Sequence, residues 1–271
     1  MDKKLTKVSE TLYVPLMGRI YASKHNIDIL YDKAALSIES RLPESIKEAQ
    51  GQNEYTLFAS ATRSKNMDYY IGEFLRDYPE GAIVNAGCGL ETMFQRNDNG
   101  TALWFELDLP DVIELRKEYF PALERDIYLP YSIFDYEWMN AVEKDLGDPE
   151  RPVLVVASGL FHYFRESQVI EFIRKLRYFD NVWIVFDAVS PSGIKVTKRY
   201  MEKMNKREAE MFFCVGSAGD FAVKISSDTK VLETKSFYSF SKKTGNLKTQ
   251  TKIKMYFSDI FDMVKSIYLK L

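Results

Sequence analysis

The stretch Ile83-Val84-Asn85-Ala86-Gly87-Cys88-Gly89-Leu90-Glu91-Thr92 runs a short apolar segment straight into two glycines. A brief run of β-formers closed by turn residues is the pattern of a strand buried on both faces. Glycines at its end let the backbone turn tightly and come close to a ligand. An ordinary turn from strand to helix uses the same pair, so the glycines alone do not define a site. A dinucleotide fingerprint would place a third glycine three residues on, where this chain has Thr92. That substitution argues against a pyrophosphate grip.

Outward from the turn, residues 102–107 (ALWFEL) form a second apolar run, and it ends in acids. Glu106 and Asp108 lie about 20 residues beyond Gly87. A carboxylate at the tip of a second strand accepts hydrogen bonds from ribose hydroxyls, and strand parity does not choose between these two. The pattern suits a nucleoside ligand without a diphosphate, so S-adenosylmethionine fits better than a nicotinamide cofactor. Residues 126–132 hold a weaker third run, followed by Phe134 and Asp135. Asp135 can accept from an adenine amino group, with Phe134 or Ile133 against the ring. It can equally cap a helix over residues 136–142.

Residues 152–157 (PVLVVA) and 182–186 (VWIVF) complete the series, with a helical pattern over 166–179 between them. Short apolar strands alternating with helices predict an α/β fold with a mostly parallel sheet, covered on both faces. Residues 230–240 and 265–271 alternate as strands around a turn at 241–245 and a helical stretch at 247–263. Such an ending adds an antiparallel edge, as methyltransferase sheets do and dehydrogenase sheets do not.

Before the glycine turn the chain reads as helical pieces. Val8, Leu12, Leu16 and Ile20 keep an i, i+4 rhythm that Pro15 interrupts or bends. Residues 32–38 (DKAALSI) form a second short candidate. Met67, Tyr70, Ile71, Phe74 and Leu75 make one apolar stripe over 63–77, which Pro79 and Gly81 end. The expected organisation is a helical cap over residues 1–62 and one α/β unit over 63–271.

The 271 residues, 46% of them hydrophobic, suffice for one large domain with a packed core. Against 39 acidic residues stand 37 basic ones, a net charge of -2, which gives no bulk attraction to nucleic acid or to an anionic membrane. No apolar stretch is long enough to span a bilayer, and the polar start MDKKLTKVSE does not resemble a secretory leader. Cys88, Cys214 and the two histidines lack the spacing of a zinc site. No metal is expected, and a reducing cytoplasm is.

Val84 to Thr92, Trp104-Phe105-Glu106-Leu107-Asp108-Leu109-Pro110 and Ile113-Glu114-Leu115-Arg116-Lys117 together resemble the leucine carboxyl methyltransferase family. Its bacterial branch includes polyketide O-methyltransferases of the tetracenomycin type. The likeness continues through Arg19, Asp32-Lys33-Ala34, Arg63 with Asp68, Asp135 to Trp138, Ser158 to Phe164, and Asp187. It covers roughly residues 8 to 190, and beyond them only the general architecture is similar.

The resemblance implies an S-adenosylmethionine-dependent O-methyltransferase on a doubly wound, Rossmann-like sheet under an N-terminal helical lid. It would release S-adenosylhomocysteine. Arg63 would pair with the cofactor's methionine carboxylate as a bidentate donor. Asn85, Gly87 and Gly89 would lie under the methionine part, Glu106 or Asp108 would hold the ribose, and Phe134 and Asp135 would frame the adenine. Ser158 and Gly159 follow the fourth strand. Where the family carries an acid, Ser158 offers the cofactor's ammonium group an uncharged acceptor.

A small-molecule acceptor would lie against His162 and Tyr163, with Tyr13, Arg19 and Tyr21 as lid contacts or as plain packing residues. A carboxylate acceptor needs no base at neutral pH, whereas an alcohol does and a phenol can. The candidates for a base are His162 and Asp187. Two other readings remain in view: a degenerate fold that only binds, to which Ser158 lends weight, and a carboxyl methyltransferase acting on a protein C-terminus.

Overall fold

In the computed structural model, residues 7–25, 28–48, 53–195, 211–241 and 245–271 are described. The start of the chain at 1–6 and the middle of the expected turn at 242–244 lie outside them. One sheet organises the molecule: β1 (Ala82–Ala86), β2 (Leu103–Asp108), β3 (Asp126–Pro130), β4 (Val153–Ala157), β5 (Val182–Val189), β6 (Lys230–Ser236) and β7 (Val264–Lys270). Their order across the sheet is β3-β2-β1-β4-β5-β7-β6. The first five run parallel, and β7 is antiparallel to both β5 and β6. The expected mostly parallel sheet with an antiparallel addition is therefore present.

The pleat sorts the strand residues onto two faces. Val84, Phe105, Val155 and Phe186 pack with Trp138 of α7 (Glu137–Leu146), Phe172 of α8 (Glu166–Lys175) and Phe221 of α9 (Ala218–Ile225). Ile83, Trp104, Val156 and Trp183 face the other way, onto Met67, Tyr70, Ile71 and Phe74 of α4 (Glu54–Asp77). Phe74 is 1% exposed, and deleting such a ring from a core costs about 3–5 kcal/mol.

The N-terminal helices are α1 (Lys7–Lys24), α2 (Lys33–Ile38) and α3 (Glu44–Glu48). Pro15 does not break α1, which continues on both sides of it. Close packing on α4 supports the helix there: a Cβ on Gly18 would stand 2.5 Å from Ser60 Cβ and 2.6 Å from Leu57 O. Helix α4 starts nearer the N-terminus than the apolar stripe indicates. Asn53 caps it by accepting from Thr56 N at 3.1 Å, a cap the sequence reading passed over. The helix runs unbroken across positions 62 and 63, where the chain was divided into cap and α/β unit.

The remaining helices are α5 (Met93–Asn97), α6 (Pro110–Tyr119) and α10 (Thr249–Ile260). Among the described residues no helix is long and apolar enough to cross a membrane.

Candidate active site

Strand order reverses direction at β1, whose neighbours are β2 and β4, so the crevice beyond these carboxyl ends is the ligand position of a doubly wound sheet. Gly87 has φ +68° and Gly89 φ +47°, in the left-handed region that favours glycine. A Cβ on Gly87 would meet Leu160 Cδ1 at 2.7 Å, and one on Gly89 would meet Leu12 of α1 at 3.1 Å. The turn is pinned to β2: Gly87 N donates to Leu107 O at 2.8 Å, and Gly89 N to Asp108 Oδ2 at 2.8 Å.

The two acids of β2 have different surroundings. Glu106 is fully buried, accepts from Asn85 Nδ2 at 2.7 Å and faces Arg116 Nη2 at 3.2 Å. Burial raises its pKa while Arg116 opposes the shift. Asn85 and Glu106 are thus committed to each other and to Arg116 inside the fold. Asp108 stands at the strand's tip, half-buried, and receives Gly89 N and Leu109 N, each at 2.8 Å. Its carboxylate belongs to the crevice wall.

Arg63, Gly159, His162 and Asp187 come together over the tips of β4 and β5. Asp187 is buried and takes three donors: Arg63 Nε at 3.0 Å, Gly159 N at 2.6 Å and His162 Nε2 at 2.9 Å. Burial alone would favour its neutral form, but Arg63 and His162 hold the carboxyl well below the usual range. Gly159 has φ +68°, and a Cβ there would lie 3.2 Å from Arg63 Nη1. The guanidinium therefore lies directly on a backbone without a side chain. Its terminal nitrogens have no partner among the described residues. The half-buried Ser158 hydroxyl has none there either. Tyr163, beside the buried His162, is 54% exposed.

Phe134 packs edge to face on Phe164, with ring centroids 5.0 Å apart. Asp135 is exposed and is not the N-cap of α7, a position held by Tyr136. Its side chain meets the helix start through a long 3.4 Å bond from Glu137 N, and its carbonyl accepts from Trp138 N at 3.4 Å.

Two of the expected substrate contacts are used inside the fold. Tyr13 is buried, with its hydroxyl 3.0 Å from that of Tyr119. Arg19 is fully buried and donates inside the fold to Asp32 Oδ2 (2.9 Å), Glu91 Oε2 (2.9 Å) and Leu90 O (2.7 Å). Tyr21 reaches Glu54 at 3.4 Å.

Arg19 belongs to a network that sequence reading missed. Arg96 bridges Asp32, Asp68 and Glu91 within it. From the other side Arg116 donates to Gly89 O and Glu91 O. These arginines satisfy the carbonyls of the glycine turn and fix its shape. The sequence signal was only a set of charged residues scattered over the first 120 positions.

A switch-point crevice, a glycine turn answered by an acid on the next strand, and a guanidinium at Gly159 beyond β4 fit an S-adenosylmethionine-dependent methyltransferase, the class to which the comparisons assign the chain. The chain belongs to the leucine carboxyl methyltransferase family, whose pattern matches residues 17–177. It is 32% identical over 202 residues to the tetracenomycin polyketide synthesis O-methyltransferase TcmP of Streptomyces glaucescens, covering 72% of this chain and 71% of that one. It is 28% identical over 186 residues to the S-adenosyl-L-methionine-dependent methyltransferase dpfgK of Gibberella zeae, covering 64% and 61%. In fold it is similar to a crystallised methyltransferase from Thermobifida fusca, with TM-score 0.57 and 12% identity over 99% of this chain and 96% of that one. A second such structure, an S-adenosylmethionine-dependent methyltransferase from Anabaena variabilis, gives TM-score 0.52 and 13% identity over 77% and 84%.

Proposed function

We propose that this methyltransferase moves the methyl group to an oxygen of a small molecule. The observation that carries the reading is Arg63, tied to Asp187 by Nε, with both terminal nitrogens lying by Gly159 and without a partner among the described residues. That is the donor set a methionine carboxylate requires. Asp108 would hold the ribose, since Glu106 is already committed to Asn85 and Arg116. Phe134 and Asp135 would flank the adenine, and Ser158 would accept from the ammonium group.

When bound, S-adenosylmethionine supplies an activated methyl on a sulfonium whose departure leaves a neutral thioether. The chain's own task is alignment and the exclusion of water. The segment 1–62 acts in this reading as the cover. Contact of Leu12 with the glycine turn supports that placement. Cys88 and Cys214 are free thiols, in keeping with a reducing cytoplasm. The O-methyltransferase identity of the relative TcmP supports oxygen as the target.

Calorimetric titration with S-adenosylmethionine, S-adenosylhomocysteine and NADH tests the reading. Micromolar binding of the first two, lost in Arg63→Ala and Gly89→Val, is expected. Absence of both would leave a fold that has lost its cofactor, with Ser158 as the first place to look.

A further inference from the structure

We propose that Asp126 is a positioning residue for the cofactor: as a neutral acid it leaves Arg116 to hold the glycine turn, and as an anion it draws Arg116 away. This rests on the placement of the cofactor over that turn, as read above. Asp126 opens β3 and pairs in register with Trp104 of β2, and two residues on Tyr128 pairs with Glu106. Residues paired across neighbouring strands point to the same side of the sheet, so these side chains share one face. Arg116 of α6 covers that face, its guanidinium carbon 5.2 Å from the centre of the Tyr128 ring. Trp104, Glu106, Arg116 and Asp126 are all fully buried.

Arg116 divides its donors unevenly. Nη1 donates to Gly89 O at 3.1 Å and to Glu91 O, and Nη2 faces Glu106 at 3.2 Å. Nε has no hydrogen-bond partner among the described residues, and neither do Asp126 Oδ1 and Oδ2. Buried polar atoms without partners are uncommon in a folded protein and call for a reason. Here an unused donor on Arg116 and two unused acceptors on Asp126 belong to one cluster, near enough for each group to act on the other's charge.

The charge balance supplies the reason. Two buried carboxyls, Glu106 and Asp126, face one guanidinium. Ionising both would leave a buried negative charge without a counterion, which is costly. One proton kept by the pair restores neutrality, and the pair titrates as a unit. Burial, reinforced by Glu106 and opposed by Arg116, raises the Asp126 carboxyl to about 8. The other groups that face it are Asp98, itself paired with Arg125 at 2.6 Å, and the Tyr128 hydroxyl and Cys88 thiol, which burial keeps protonated. Arg116 is therefore the cation to which an ionised Asp126 turns.

The guanidinium is a rigid plane, so its donors move together. A rotation that brings Nε toward Asp126 takes Nη1 from Gly89 O and Glu91 O, the carbonyls on either side of Leu90. The turn then loses the bonds that hold its shape from the α6 side. Cofactor affinity falls with them, although Asp126 touches neither the turn nor the crevice.

S-adenosylhomocysteine affinity of the full chain, measured by calorimetry from about pH 6 to about pH 9 in the parent and in Asp126→Asn, tests the proposal. Asparagine keeps the shape of the side chain and cannot ionise, so it stands for the protonated acid. The two proteins should bind alike at the lower end. At the upper end the parent should bind about 3- to 10-fold more weakly than the variant. Backbone amides of Gly89, Leu90 and Glu91, compared at equal pH, should exchange faster in the parent at the upper end alone. Titration of the ligand's own amine is common to both curves and drops out of their ratio. A ratio of affinities that does not change with pH overturns the proposal, and so does a parent that binds more tightly than the variant at the upper end. Failure of both proteins to bind at any pH overturns the placement of the cofactor over the turn and this inference together.

Discussion

Arg63 gives its Nε hydrogen to Asp187 Oδ2 at 3.0 Å, which fixes the plane of the guanidinium, while its outer edge has no partner among the described residues. An arginine held this way is pre-ordered for a carboxylate, so little rotamer entropy remains to be lost on binding. Arg63→Ala is expected to weaken S-adenosylhomocysteine binding about 100-fold or more. Arg63→Lys should recover little of that loss, because a single ammonium cannot serve both Asp187 and a bidentate partner. Calorimetry on the two variants checks both statements.

Asp108 and Glu106 lie on one strand but should fail differently when neutralised. Asp108→Asn removes a charge at the crevice wall and one of the two oxygens that accept from Gly89 N and Leu109 N, and is expected to weaken cofactor binding while lowering the melting temperature less than Glu106→Gln does. Glu106→Gln leaves Arg116 buried beside a neutral group. Loss of one partner from a buried pair costs about 3–5 kcal/mol, and the melting temperature should fall by roughly 5–10 °C. Thermal unfolding and cofactor titration of the two variants separate the roles. The opposite pattern would assign the ribose to Glu106.

The sequence carried the sheet because its strands are buried on both faces, so Val153–Ala157 and Val182–Phe186 appear as unbroken apolar runs, and Ala82–Ala86 as one interrupted by Asn85 alone. The glycine turn was legible because Gly87 and Gly89 sit at positive φ, where few other residues are comfortable. Side chains whose partners lie far along the chain were not legible. Arg19 meets Glu91, and Arg63 meets Asp187, only after the sheet has assembled. The open edge of Arg63 and the internally bonded Arg19 have the same appearance in sequence, one arginine on a helical segment each.

Asp126 is buried, and neither of its carboxylate oxygens has a hydrogen-bond partner among the described residues. Burial, reinforced by nearby Glu106, raises its pKa to about 8. Between pH 4 and pH 8 the folded chain keeps this proton and the unfolded chain releases it. Stability from this group is therefore full below pH 4, declines as pH rises, and levels off above 8. Asp126→Asn removes the decline. The variant should match the parent near pH 4 and exceed it by about 1–3 kcal/mol at pH 8. Denaturant unfolding at the two pH values provides the comparison, and an equal difference at both would reject the assignment.

The buried network under the glycine turn has the opposite dependence. Burial pushes the Glu91 carboxyl up, but Arg19 and Arg96 pull harder and bring it down to about 2. Glu91 thus contributes stability above about pH 4.3, the ordinary glutamate value, and that contribution is lost as pH falls toward 2. Arg19→Met removes one of its two cations together with the donor to Leu90 O. The variant should be about 3–5 kcal/mol less stable at neutral pH, and its loss of stability on acidification should be shallower than the parent's. Because Leu90 directly follows Gly89, the turn itself should loosen. Hydrogen exchange at Gly89, Leu90 and Glu91 should quicken, and S-adenosylhomocysteine affinity should fall, although Arg19 is itself buried among Asp32, Leu90 and Glu91. Faster exchange with unchanged affinity would mean that the turn needs only its glycines and the bonds its N–H groups donate to Asp108 and Leu107. Both changes together would make Arg19 a positioning residue for the cofactor, acting through the backbone it holds.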